Sequence, residues 1–129
     1  MSLTNIIAIY ILFLNSFLFA QTNDQILGKW TVEDSGNIVE VIKTNNKYWA
    51  KIIEVANGEN DNIKKDLIVL KNFEYNKDEN NYIKGTVYAP KLHKEFRGTL
   101  KITDKNVLSV KANMAFFSKE VKWFRIYSK

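Results

Sequence analysis

His93 is the only histidine of the chain and there is no cysteine, so the side chains that most often hold zinc or act as nucleophiles are nearly absent. One imidazole, set in the polar run APKLHKEF, completes a zinc shell only if several carboxylates converge on it. As a turn residue it reads as solvated. Neither a Gly-x-Ser-x-Gly elbow, nor a phosphate-binding glycine loop, nor a calcium loop of EF-hand spacing occurs. The acids remain. Glycoside hydrolysis requires two carboxylates held a fixed distance apart, and Glu40, Glu54, Glu74 and Glu95 stand in strand-like segments. Glu59 and Asp61 share the loop NGENDNIKK, whose composition is that of a solvated connection. These residues assign no catalytic group, no metal site and no cofactor, and catalysis ranks behind two kinds of binding.

The segments that position side chains begin after an apolar leader. Ile6 to Leu14 is almost unbroken apolar sequence, and FLFA ends on the small residue Ala20, which reads as a signal peptide over 1–20 followed by one domain over 21–129. The stretch is short of the ~20 residues a membrane span needs and is interrupted by Asn15 and Ser16, so the protein is not expected to be membrane-embedded after cleavage. A bacterial periplasmic or secreted location follows. All charges lie beyond position 20, with 19 Lys and Arg against 14 Asp and Glu, a net charge of +5. For an exported chain the partners matching that charge are anionic envelope polymers or lipids rather than nucleic acid. Without cysteine, neither a lipid tether nor disulfide staples can form.

From Gly28 onward the apolar period is two, in runs of Val, Ile, Tyr, Phe and Trp separated by Asn, Asp, Lys and Gly. Strands are expected over 28–34, 37–44, 47–56, 66–75, 81–89, 94–102, 107–114 and 119–127. Eight short strands in succession indicate an all-β antiparallel meander closed as a barrel or folded as a sandwich. A short helix fits only just after the leader or within 57–65.

Turn chemistry then sets registers. Asn45-Asn46 suits a two-residue hairpin whose central residues need positive φ, which places Val41 opposite Ala50, Val39 opposite Ile52, and Glu40 opposite Lys51. Around PKLH, pairing Ala89 with Lys94 sets Val87 against Phe96, Gly85 against Gly98, and Ile83 against Leu100. Tyr88 then faces Glu95 and Thr86 faces Arg97, so Glu40 opposite Lys51, and Glu95 on the side of the sheet that holds Arg97, read as surface pairs. After Ile102, a three-residue loop over 103–105 turns Leu108, Val110 and Ala112 to the side of Leu100, Gly98 and Phe96. The face holding Glu40 and Lys51 also carries Ile38, Ile42, Trp49 and Ile53. It is either an outer apolar patch or a lumen with one ion pair, and the cleaner face of Val39, Val41, Ala50 and Ile52 is taken as the interior. Facing glycines mark a sharp bend, or room for a ligand or a ring such as that of Trp30.

Gly28-x-Trp30 at the start and Arg125 in the last strand resemble the signature of the calycin superfamily, the lipocalin-like barrels. That resemblance implies a Trp sealing one barrel end with an Arg across its ring. The order LGKW, YWAKI, LIVLKNF, GTVYAP, EFRGTLKI, LSVKA and WFR resembles the exported bacterial family called domain of unknown function 2147. The departures are Ala50 for a Gly, Ala89 for an Asp, Lys111 for an Arg and Ala112 for a Gly.

The leading expectation is a small calycin-like barrel that binds an apolar or amphipathic small molecule without covalent chemistry. Tyr48, Gly85, Tyr88, Phe96, Gly98, Phe116 and Phe117 are its candidate binding residues. Phe116 and Phe117 are adjacent in a turn, so both cannot enter one core. The alternative is a protein–protein module of the cell envelope acting through the Trp49 face or the Phe116-Phe117 turn.

Overall fold

In the computed structural model, which describes residues 23–127, eight strands follow one another and close into an antiparallel barrel. They are β1 (Gly28–Val32), β2 (Ile38–Thr44), β3 (Lys47–Glu54), β4 (Ile68–Asn76), β5 (Asn81–Ala89), β6 (Lys94–Asp104), β7 (Val107–Asn113) and β8 (Ser118–Ile126). β1 pairs with β8, so no strand edge is left to recruit another chain. The leader expected over 1–20 lies outside the described residues. β1 stops at Val32, two residues before the expected end, because the Gly36 N–H turns back to the Val32 carbonyl at 2.8 Å. No helix forms within 57–65, and Asp24 to Ile26 make a turn. A 3₁₀ turn over Pro90–Leu92 joins β5 to β6.

The expected hairpin registers are those of the structure for most pairs. Val41 faces Ala50, Val39 faces Ile52 and Glu40 faces Lys51, with Asn45 and Asn46 at φ 53° and 64°. Gly85 faces Gly98, Val87 faces Phe96, and Thr86 faces Arg97. The face of Val39, Val41, Ala50 and Ile52 is the buried one, which leaves Glu40 and Lys51 outside. Three pairings differ. Leu108, Val110 and Ala112 do turn inward, but opposite Ile102, Leu100 and Gly98. β6 runs on to Asp104, and a bulge between Ile102 and Asp104 takes up the odd residue that a longer loop was expected to hold.

The third correction is on β5. Leu100 faces Tyr82, not Ile83, because the register shifts between Tyr82 and Gly85. Lys84 there adopts φ 65°, and Asn72 across the sheet adopts φ 61°. A strand residue with positive φ reverses the in–out alternation beyond it. So Tyr82 and Phe73 point inward, where plain alternation from Val87 would have put Ile83.

Phe73 explains the facing glycines. A Cβ on Gly85 would overlap the Phe73 ring, and one on Gly98 would meet a Val87 methyl at 2.5 Å and the far edge of the same ring at 3.5 Å. Of the alternatives expected there, a sharp bend, a ligand or a ring such as that of Trp30, the structure has a ring, that of Phe73, which is wholly buried. The Phe73 ring thus packs on the bare backbone of Gly85, closer than a Cβ there would allow, and reaches Gly98 with its edge. Trp30, Ile26, Leu100 and Leu108 complete the packing of this half of the barrel.

Gly85→Ala is therefore expected to destabilise the fold by about 1–3 kcal/mol through overpacking, read as a lower denaturation midpoint. Combining it with Phe73→Leu should recover part of that loss. A double variant whose cost is the plain sum of the two singles would contradict the contact.

Candidate functional site: a closed end and an open mouth

The two ends of the barrel differ in kind. At the end holding the β2–β3, β4–β5 and β6–β7 turns, the chain before β1 folds across the opening. Trp30 donates its indole N–H to the Ile26 carbonyl at 2.9 Å. The Arg125 guanidinium lies over the Trp30 ring, 4.2 Å from its centroid, and is the strand partner of that residue. It donates to the Leu27 carbonyl at 3.0 Å and to the Gln25 carbonyl. Cation–π attraction of ~0.5–2 kcal/mol and two satisfied carbonyls thus fix the lid. Gly28 turns the lid into β1 at φ 120°, a conformation that other residues rarely adopt.

Two phenols hold the lid from inside. Tyr48 and Tyr82 meet edge to face, with centroids 5.0 Å apart. The Tyr48 hydroxyl lies 2.6 Å from the Asp24 carboxylate and 2.7 Å from the Asn23 carbonyl, while Tyr82 reaches the same carbonyl at 2.7 Å. A phenol has one proton, and the charged acceptor makes the stronger bond. Tyr48 therefore donates to Asp24, and Tyr82 serves the carbonyl. Lys43 donates to the same Asp24 oxygen, Oδ1, at 3.0 Å. The Tyr48 hydrogen bond, then Lys43, hold the Asp24 carboxyl below its ordinary value. Burial first, and then the Asp24 hydrogen bond, raise the Tyr48 phenol well above its ordinary range, and burial does the same to Tyr82.

The opposite end is open. A cavity of about 420 Å³ runs into the barrel from the β1–β2, β3–β4, β5–β6 and β7–β8 loops. Its walls are aliphatic: Val39, Ile52, Val69, Val87 and Val110, with the Trp123 ring among them. Ala112 and Ala89 keep it wide. Polar groups stand mostly at the rim, among them Asn37, Tyr88, Lys91 and Lys119. Asn37 is buried and structural, because its side-chain carbonyl accepts the Ala56 N–H at 3.0 Å and ties two rim loops together. The β3–β4 loop is held by its own bonds, Asn60 taking the N–H groups of Asn62 and Ile63 and Glu59 that of Lys65. That folding lays Ile63 over the mouth.

Of the seven residues singled out for binding, only Tyr88 lines this cavity. Tyr48 is committed to the lid. Gly85 and Gly98 are filled by Phe73, and Phe96 is half-buried outside the lining. Phe116 and Phe117 are both exposed in the β7–β8 turn. Sequence reasoning placed Val39, Ile52, Val110 and Ala112 on the interior face but did not single them out for binding, since they look like ordinary core positions. Asp24 and Asn23 were missed because the lid precedes the first strand. Among the described residues no group of three or more His, Cys, Asp or Glu side chains is placed to hold a metal ion. No helix there is long and apolar enough to cross a membrane.

The family model described as "Uncharacterized protein conserved in bacteria (DUF2147)" matches residues 28–125, from the lid glycine to the lid arginine. The chain belongs to the DUF2147 family. A solved structure described as "Protein HP1028 from the human pathogen Helicobacter pylori belongs to the lipocalin family" superposes on this DUF2147 barrel with a TM-score of 0.65 at 16% identity. The match covers 79% of this chain and 83% of that one. The fold is thus that of the lipocalin-like barrels. No curated protein matches the chain.

In this DUF2147 protein the lid makes stability depend on acid. A carboxyl whose folded value lies below its ordinary 3.8 contributes stability at pH above that value and loses the contribution as pH falls through the lowered one. Asp24→Asn is expected to cost about 1 kcal/mol at neutral pH, the low end for a charge-assisted bond because the carboxylate is 41% exposed. Thermal melts against pH should show that gap steady above about pH 5 and closing below 3.8. A gap that does not change with pH would contradict the role given to Asp24.

Proposed function

We propose that this protein binds a small apolar or amphipathic molecule in the open half of its barrel, without covalent chemistry, as an exported bacterial carrier or scavenger. The observation that carries the reading is the cavity of about 420 Å³, walled by valines, Ile52 and Trp123 and reached through one end. Sites for small molecules have this build: a concave, mostly apolar volume with a few polar groups that set orientation. The side chains of Tyr88, Lys91 and Lys119 make no hydrogen bond or ion pair among the described residues, so they are free to take the polar end of a ligand. The likeness to a protein described as a lipocalin supports the reading at the level of fold, and the apolar leader supports export.

A protein contact through the outer aromatic face has less support. Ile38, Ile42, Trp49 and Ile53 on the outer sheet face are each half-buried, and none is among the large apolar side chains that stand exposed.

The test uses 11-bromoundecanol, whose bromine quenches nearby indoles, with Trp49→Phe to remove the outer tryptophan. Saturable quenching of Trp123 is expected, and Ala112→Phe, which fills the cavity, should weaken it at least about tenfold while the melt remains cooperative. Absence of saturable quenching, or binding that ignores Ala112→Phe, would overturn the reading.

A further inference from the structure

The rim of the mouth is built unevenly. β6 and β7 are paired, with Gly98 opposite Ala112, so the β5–β6 and β7–β8 turns stand side by side as one lip. That lip carries Leu92, Phe116 and Phe117, three of the five large apolar side chains that are exposed among the described residues. Phe116 is 98% exposed, Phe117 63% and Leu92 57%. The fold does not require the two rings, because their turn closes through the Met114 N–H and the Phe117 carbonyl at 2.8 Å. Lys91, Lys94 and Lys119 lie in or beside the same two turns, whose residues 91–94 and 114–119 contain no acid; Glu95, paired with Lys71, and Glu120 come next along the strands. None of the three lysines has an ion-pair partner among the described residues. The opposite rim is net acidic, with Glu33, Asp34, Glu59, Asp61 and Asp66 against Lys64 and Lys65.

We propose that this lip docks on an anionic lipid bilayer. Phe116, Phe117 and Leu92 enter the boundary between headgroups and acyl chains, and Lys91, Lys94 and Lys119 meet the lipid phosphates. Apolar tips flanked by cations match that interface, where the rings leave water and each ammonium stays at headgroup level. A protein partner fits less well, since a stable interface takes about 800 Å² per side and two short turns offer far less. The acidic rim on the other side of the mouth is repelled by the same surface, so the barrel leans and presents its opening to the membrane. Lys91, Leu92 and Lys119 also line the cavity, which places the contact beside the opening through which a ligand passes. The inference extends beyond ligand binding and does not require it.

Sedimentation with vesicles tests this on the chain lacking residues 1–20, which retains every strand of the barrel. Pelleting is expected with vesicles of equal parts phosphatidylglycerol and phosphatidylcholine, and not with phosphatidylcholine alone. Phe116→Ser with Phe117→Ser should weaken it about tenfold or more. Replacing the three lysines by Gln should weaken it about fivefold per charge and flatten its salt dependence. Both sets alter exposed side chains, and circular dichroism checks that the barrel persists. Unchanged pelleting of the Phe variant, or equal pelleting with neutral vesicles, would overturn the proposal. So would a dimer that the Phe variant dissolves and no pelleting at all, which would make the lip a protein contact. Bromoundecanol quenching on the same samples reports the cavity separately, so failure of one reading is told apart from failure of the other.

Discussion

The barrel depends on the contact between Trp30 and Arg125, because it joins the first strand to the last and shuts one end in a single stroke. The two residues are strand partners, the guanidinium lies 4.2 Å over the indole, and its donors take the carbonyls of Leu27 and Gln25. Those carbonyls belong to a turn and have no ladder partner, so without the arginine they would be left wanting donors at the barrel end. The indole N–H fixes the same turn through Ile26. With that end closed by chain, ring and cation together, whatever enters the barrel must use the other end.

An eight-stranded barrel has an interior that side chains can just fill, or that can hold one small ligand. This one does both along its length. The closed half is filled by rings: Trp30 at the lid, Tyr48 and Tyr82 beneath it, and Phe73 against the bare backbone of Gly85 and Gly98. The open half points valines and Ala112 inward, and short side chains from opposite walls do not meet. The step from aromatic to short aliphatic side chains along the axis is what turns a packed core into a cavity. Bulges at Asn72 and Lys84 serve the same division, since they turn Phe73 and Tyr82 into the filled half.

Much of the architecture was legible in the sequence. Period-two patterning gave the strand number, Asn45-Asn46 and the PKLH turn gave two hairpin registers, and the resemblance carried by Gly28-x-Trp30 with Arg125 gave the closed end. The bulges were not legible. Ile83 is the more apolar residue and Tyr82 the less, so pattern alone turns Ile83 inward; the choice is reversed by hydrogen bonds to a lid lying 59 residues earlier. The cavity was hidden for a related reason. Val110 or Ala112 alternates identically whether the space before it is filled or empty, and only the distance across the barrel decides. Hence Tyr88 alone of the seven expected binding residues lines the cavity, while Tyr48 and the two glycines belong to the packed half.

The most direct test of a barrel closed at one end and hollow at the other is native mass spectrometry of the protein purified from its own source without detergent. The hollow half predicts a monomer carrying one small molecule, or taking up one equivalent of a single-chain amphiphile when it is added. A bare monomer that takes up nothing would contradict it and would leave the barrel as a packed scaffold acting through its surface.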